Sequence, residues 1–365
     1  MVTFGDWASQ EITLYEDGEY VEVEWTVGPI NVNEGVGKEV ILRYDTNIQS
    51  AGKFYTDANG RELLERTRNS RPTWSYTVTE PVSGNYYPVN SRIYVKDATR
   101  QLTVLTGKTS ANILNVFPTH FGFIRYFVCL DRSQGGSSML DGSVELMVHR
   151  RLLHDDRRGV GEPLNETAYG DGLVVRGRHI LILESPDTSA LYHRTASQRF
   201  FMHPLATYSL VQQSYAEYSA AYRQTWSAVL DTLPLNVHLL TLDQQAAKDY
   251  LVRVENYFEL FEDATYSRTA TIDLQSLFVN IGNITNAVEL TLAANYEAAS
   301  LQRLNWITSN EESTSVPSGG TFFSSSMSSF LLSLLVMFYL DEPSVKDTSV
   351  KLNPMQIRTF EVTVA

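Results

Sequence analysis

Along the first half of the chain, apolar and polar positions alternate. Val21, Val23, Trp25 and Val27 are separated by Glu22, Glu24 and Thr26, the period-2 signature of a strand with one buried face. Just before them Ile12 and Leu14 alternate with Glu11 and Thr13, and Asp17-Gly18 joins the two runs with residues that tolerate positive φ. An antiparallel hairpin is predicted there. A second turn is predicted over residues 57–60, and further short strands over residues 74–78, 92–95, 102–105 and 144–148, separated by Gly, Pro, Asn and Asp. The strands at 102–105 and 144–148 are expected to pair. Many short strands with polar turns predict a large antiparallel sandwich.

The period changes over residues 205–230. Tyr208, Val211, Tyr215, Tyr218, Tyr222 and Trp226 recur every three or four residues, which fits one face of a helix, although tyrosines suit an irregular connector equally well. Strand signals return at residues 237–242, 250–254, 270–274 and 357–364. The expected organisation is a sandwich over 1–205, a connector over 206–232 and a smaller C-terminal β-domain over 233–365.

Charge narrows the partners. The chain carries 29 Lys and Arg against 42 Asp and Glu, a net −13, so a nucleic acid would meet repulsion over most of the surface. Neutral sugars meet none, and 20 Tyr, 16 Phe and 5 Trp supply flat apolar faces for sugar C–H surfaces. A single cysteine, Cys129, excludes internal disulfides and cysteine-based zinc sites. No membrane span is expected, because the longest apolar run, residues 330–340, falls short of the roughly 20 residues a spanning helix needs. The first residues lack the basic-then-apolar pattern of a signal peptide.

One stretch is chemically dense: Asp131-Arg-Ser-Gln-Gly-Gly-Ser-Ser138, then Glu145-Leu-Met-Val-His-Arg-Arg-Leu-Leu-His-Asp-Asp-Arg-Arg-Gly-Val-Gly-Glu162. On a strand, His149 and Arg151 share one face and Arg150 takes the other. Arginine forks donate paired hydrogen bonds to carboxylates or sugar hydroxyls, and Asp155 and Asp156 can accept from hydroxyls or anchor those arginines. The same charges also make an ordinary exposed ion-pair network. His149 and His154, five apart, suit neither a helix face nor a strand face as metal ligands.

Here the sequence resembles the C-terminal half of glycoside hydrolase family 38 α-mannosidases of the lysosomal type. The resemblance runs through Gly5-Asp-Trp-Ala-Ser-Gln-Glu-Ile, Val23-Glu-Trp-Thr-Val-Gly-Pro-Ile, Lys38-Glu-Val-Ile, Phe54-Tyr-Thr-Asp-Ala-Asn-Gly-Arg-Glu, Gly84-Asn-Tyr-Tyr-Pro-Val and Arg92-Ile-Tyr. It continues through residues 131–162, Leu235-Asn-Val-His-Leu-Leu-Thr-Leu, Leu292-Ala-Ala-Asn and Pro354-Met-Gln-Ile-Arg-Thr-Phe. What it implies is a galactose-mutarotase-like β-sandwich followed by a smaller β-domain. It also implies hydrolysis of mannose-containing oligosaccharides by a retaining mechanism, with zinc as the cofactor.

By the same resemblance the nucleophile, the acid/base and the zinc ligands belong to an N-terminal catalytic half, so no catalytic or metal residue is expected in this chain. Arg150, Arg151, Asp155 and Asp156 are the expected supports of the sugar pocket, without a choice between the two arginines. Two sequons, Asn165-Glu-Thr and Asn283-Ile-Thr, are expected glycosylation sites, and with the resemblance they imply a lysosomal or secretory address for the complete protein. The competing expectation is a non-catalytic carbohydrate-binding or structural β-module.

Two segments break the family pattern. The pattern runs from Thr106 into Asp131, yet 24 residues, 107–130, intervene and carry Phe117, Phe121, Phe123, Ile124, Tyr126, Phe127 and Val128 without strand alternation. Gly107-Lys108 can be encoded with a splice-donor sequence and Leu130-Asp131 with an acceptor, so the segment reads as a translated intron. Residues 320–340 read the same way. The alternative for both is a genuine loop.

Overall fold

The computed structural model describes the chain except residues 17, 58, 108–109, 112–117, 120–121, 124–133, 158, 160, 203, 205, 211, 231 and 303–347. Two compact units result: Met1–Ser209 with Phe258–Ser267, and Leu210–Tyr257 with Arg268–Ala365.

The first unit begins with β1 (Val2–Gly5), β2 (Ala8–Leu14), β3 (Val21–Val27), β4 (Lys38–Asp45), β5 (Lys53–Asp57), β6 (Leu63–Thr67) and β7 (Tyr87–Val89). It continues with β8 (Arg92–Lys96), β9 (Gln101–Thr106), β10 (Ser110–Ala111), β11 (Pro118–Thr119), β12 (Gly122–Phe123), β13 (Gln134–Ser137) and β14 (Ser143–Arg151). It ends with β15 (Thr167–Ala168), β16 (Asp171–Gly172), β17 (Val175–Glu184) and helix α1 (Pro186–Phe201). Among the described residues, a large antiparallel sheet runs β1-β2-β3-β17-β9-β8-β5-β6, with β10 on β17, and a smaller one runs β4-β14-β13-β7.

The two sheets face each other across a core. Phe54, Ile93, Val95, Leu102 and Val104 from the large sheet pack with Val89, Val144 and Leu146 from the small one, and Trp25, Val27 and Val175 pack with Val148. This is the mainly β antiparallel sandwich that the alternation predicts. At the far edge Ile12 and Leu14 point to the same side as Val23 but stay exposed, since β2 lies outside the group of strands that contributes to that core.

Strand β7 belongs to the small sheet and β8 to the large one, joined only by Asn90 and Ser91. The buried Asp57 carboxylate accepts from the amides of Asn90 (3.2 Å), Ser91 (2.9 Å) and Arg92 (2.9 Å), which fixes that crossing. At the same place the Thr106 amide donates to Ser91 O (2.9 Å) and Gln134 pairs with Val89. The end of β9 and the start of β13 therefore flank one turn.

Two expectations need correction. Residues 74–78 form no strand: Trp74 and Tyr76 stack edge to face at 5.5 Å and the Arg71 guanidinium sits 4.5 Å over Tyr76, so local aromatic packing replaces sheet pairing. Residues 102–105 and 144–148 do not pair, since β9 lies between β8 and β17 while β14 lies between β4 and β13. The principal helix is α1, covering the outer face of the large sheet with Tyr192, Ala196 and Phe200 against Leu105, Ile180 and Ile182. Of the 107–130 segment, 107, 110–111, 118–119 and 122–123 are described; residues 320–340 lie outside the described residues.

The second unit holds the short helix α2 (Tyr215–Ala221), then β18 (Val237–Gln244), β19 (Asp249–Asn256), β20 (Ala270–Asp273), α3 (Leu274–Leu277), β21 (Ile284–Leu290), β22 (Ser349–Leu352) and β23 (Ile357–Val364). Helix α2 starts in a capping box, with the Ser214 hydroxyl accepting from the Glu217 amide and the Glu217 carboxylate accepting from the Ser214 amide. The sheet β18-β19-β23-β21 and the pair β20-β22 enclose a core of Val252, Val254, Leu274, Phe278, Leu352 and Phe360.

Candidate functional site

Strand β14 carries the charged motif to its end. A shift in register against β4 between Met147 and His149 leaves Val148 and His149 both buried, with His149 Nε2 3.1 Å from Leu173 O. Beyond that bulge the two arginines separate. Arg150 stands opposite Glu39 and Arg151 opposite Lys38.

Arg151 is held on several sides. Its Nε donates to Asn165 Oδ1 (2.7 Å) and its Nη1 donates to Ile30 O (2.9 Å). Its guanidinium also lies against Gly172, where a Cβ would come within 2.6 Å of Nη1. Arg150 is looser, half-exposed, with one ion pair of 3.6 Å to Glu39. A guanidinium with a single long, solvated contact retains most of its donors for another partner.

Arg150 and Glu39 lie on the face of the small sheet turned away from the core, and so does Glu145, since Val144 and Leu146 on either side point inward. Glu145 is nonetheless buried, and the Tyr86 hydroxyl donates to it. The Tyr86 ring lies close over Gly135, 3.2 Å from where a Cβ would stand. Burial first, and then the Glu145 hydrogen bond, pushes the Tyr86 phenol well up, so it stays a protonated donor. This face offers a guanidinium, a phenol and two carboxylates, the groups that read hydroxyls.

The loop after β14 is less engaged. Asp155 accepts from the Arg157 amide (2.7 Å), which caps its own turn, and Asp156 is exposed. Leu152 N donates to Leu164 O, closing the loop beside Asn165. Asn165 and Asn283 are both exposed. Among the described residues no group of three His, Cys, Asp or Glu could hold a metal ion. Sequence reasoning missed Glu39, Tyr86 and Glu145 because they are spread over about a hundred positions and only cross-strand register brings Glu39 opposite Arg150.

The chain is similar to known proteins along its length. The pattern of the glycosyl hydrolases family 38 C-terminal domain matches residues 1–110, and that of the family's C-terminal beta sandwich domain matches residues 236–360. Lysosomal alpha-mannosidase of Bos taurus is 48% identical over 309 residues, 84% of this chain and 28% of that protein. Lysosomal alpha-mannosidase of Mus musculus is 43% identical over 364 residues, 99% of this chain and 31% of that protein. This chain thus spans less than a third of the curated relatives it matches. Its fold resembles the crystal structure of an alpha-mannosidase from Enterococcus faecalis V583, with a TM-score of 0.51 at 12% identity, covering 97% of this chain and 28% of that one. Two domain patterns in family order, on a mainly antiparallel β fold, make the chain a C-terminal region of glycosyl hydrolase family 38.

Proposed function

We propose that this chain is the C-terminal portion of a retaining, zinc-dependent α-mannosidase that removes terminal α-mannosyl residues from N-glycans and glycoproteins in the lysosome. The observation that carries this reading is the 48% identity to a lysosomal alpha-mannosidase over 84% of the chain. Retaining hydrolysis requires two carboxyls about 5 Å apart, one to attack the anomeric carbon and one to protonate the departing oxygen. Those groups and the zinc ligands come from an N-terminal catalytic half outside this chain.

In this reading Arg150 is the group the sandwich presents to the sugar. Glu39 orients it, the Tyr86–Glu145 pair lies further along the same face, and Arg151 shapes the strand end through Ile30 and Asn165. Asp155 and Asp156 border the same end. Both sequons are exposed, which supports glycosylation at Asn165 and Asn283. At Asn165 the side-chain oxygen is taken by Arg151, and the Nδ2 that a glycan would occupy is the other atom.

The test uses the chain joined to its upstream half. That protein hydrolyses an aryl α-mannoside, and Arg150→Ala lowers kcat/KM about 10- to 150-fold, the equivalent of about 1.5–3 kcal/mol for a charge-assisted hydrogen bond. Arg151→Ala instead lowers the melting temperature. Full activity in Arg150→Ala would remove Arg150 from the pocket, and no turnover of α-mannosides by the joined protein would overturn the function itself.

A further inference from the structure

Helix α1 does not close onto the large sheet along its whole length. Between its C-terminal half and the outer face of β3 and β17 lies a cavity of about 220 Å³, within the first unit. Its floor is a diagonal cross-strand pair, Glu22 on β3 and Arg178 on β17, with Nη1 and Oε1 3.3 Å apart. Glu22 is only 8% exposed. The Arg178 guanidinium lies 4.7 Å over the Phe200 ring, and Tyr20 and Tyr192 complete the walls.

A carboxylate buried this far on a face otherwise packed by Leu105, Ile180 and Ile182 carries a desolvation cost that one ion pair offsets only in part. The Arg178 contact uses one Glu22 oxygen and one of the five guanidinium N–H groups. Both residues line the cavity, so their remaining acceptor and donor capacity is available to whatever enters it.

We propose that this cavity binds a single neutral pyranose ring, the terminal sugar of a glycan, at a site separate from Arg150, which lies on the other sheet. Three observations select this class. Charges cancel twice, Glu22 against Arg178 in the floor and Glu19 against Arg199 among the lining residues, so a charged ligand gains no net attraction. The carboxylate and guanidinium forks match neighbouring hydroxyls on one ring edge. Tyr20, Tyr192 and Phe200 offer aromatic surface to the C–H face. A wholly apolar ligand would seal Glu22 away from water and offer no donor to the carboxylate oxygen that Arg178 leaves unused. The volume holds one ring and leaves any further sugars in solvent. The proposal does not depend on the enzymatic reading, since every residue in it belongs to this chain.

Saturation-transfer NMR on the full 365-residue chain, with methyl α-D-mannopyranoside and methyl β-D-glucopyranoside as probes, tests it. Transfer to at least one probe is expected, with millimolar affinity typical of one small ring in a shallow site. Glu22→Gln and Tyr192→Ala should each weaken that affinity about tenfold or more, while Trp74→Ala, an exposed aromatic elsewhere on the unit, leaves it unchanged. Melting curves identify which variants are folded, and either of the two suffices. No transfer to either probe at about 50 mM, far above the expected affinity, would overturn the proposal. So would affinity that survives in a folded Glu22→Gln or Tyr192→Ala chain, or that is lost in Arg150→Ala while persisting in Glu22→Gln.

Discussion

The imidazole of His179 is fully buried between the sheets, with Nδ1 2.9 Å from the Tyr44 hydroxyl and Nε2 without a hydrogen-bond partner among the described residues. Burial pushes its pKa down to about 3. His193 is held well below its ordinary value too, by burial first and then by Arg92, Arg194 and Lys96. A histidine depressed in the folded state contributes stability that is complete above its unfolded pKa of about 6.5 and declines at about 1.4 kcal/mol per pH unit as pH falls. For His179 that loss continues toward pH 3, so it amounts to about 2–3 kcal/mol by pH 4.5. Denaturant titrations across this range should show His179→Gln weaker than the parent near neutrality but with a shallower decline; parallel pH profiles would contradict the assignment. The proposed acidic compartment makes this a demand that the rest of the fold must offset. At this scale the sequence was only partly legible. The charged motif at 149–156 stood out, but the different roles proposed for its two arginines rest on Ile30 and Asn165, which only the folded chain brings to Arg151. The buried Arg92 and Arg194 gave no signal at all, because composition cannot tell an arginine paired with Glu259 and Glu262 from a solvated one.

Strand β3 was readable because Val23, Trp25 and Val27 face the core while Glu24 faces outward, and alternation records that difference; β2 alternates in step with it although its Ile12 and Leu14 stay exposed. Helix α1 was not. The residues it buries most deeply include Ser189, His193, Arg194 and Ser197, so the apolar stripe of Tyr192, Ala196 and Phe200 is narrow, borders buried polar groups and gives only a weak hydrophobic period. What holds that stripe is a network: Arg92 donates to Ser197 Oγ (3.2 Å) and lies 2.9 Å from His193 Nδ1, and Arg194 reaches Arg61 O and both glutamates. Residues 74–78 mislead for the opposite reason, with β-favouring residues that pack on one another. Sheet pairing also explains a glycine. Gly177 stands opposite Trp25, and a Cβ there would lie 2.2 Å from the indole. Gly177→Ala must displace a buried tryptophan from the sandwich core, so a loss of about 1–3 kcal/mol is expected, read as a drop in unfolding free energy with near-UV circular dichroism reporting the moved indole. An unchanged midpoint would mean that the ring has room to shift.

For the whole molecule, the first consequence is negative. The 365-residue chain alone should turn over no aryl α-mannoside, with or without added zinc, because positioning groups contribute little without a nucleophile. Measurable zinc-stimulated hydrolysis by the purified chain would refute that division of labour. The second concerns residues 107–130. Thr106 bonds to Ser91, and Gln134 pairs with Val89. Joining Thr106 directly to Asp131 leaves four residue steps, a reach of about 13–14 Å, to connect positions beside one turn. The shortened chain loses the two-residue β10 from the edge of β17 but can keep the remaining strand order of both sheets. Deleting 107–130 should raise soluble yield and melting temperature by removing an apolar segment, and transcripts should join Thr106 to Asp131. A lower melting temperature together with transcripts that retain the segment would make it a genuine part of the protein.

The crossing between β7 and β8 also has a practical meaning. A segment that leaves and rejoins a fold beside the same pinned turn is a detour, and lengthening it changes the closure entropy only logarithmically, by about 0.6 kcal/mol per doubling. New chain ends cut between Thr106 and Gln134, or a small reporter domain grafted there, should be accommodated without altering either sheet's strand order, because the Asp57 carboxylate holds the turn from the other side. That position is where the sandwich can be circularly permuted or given a passenger.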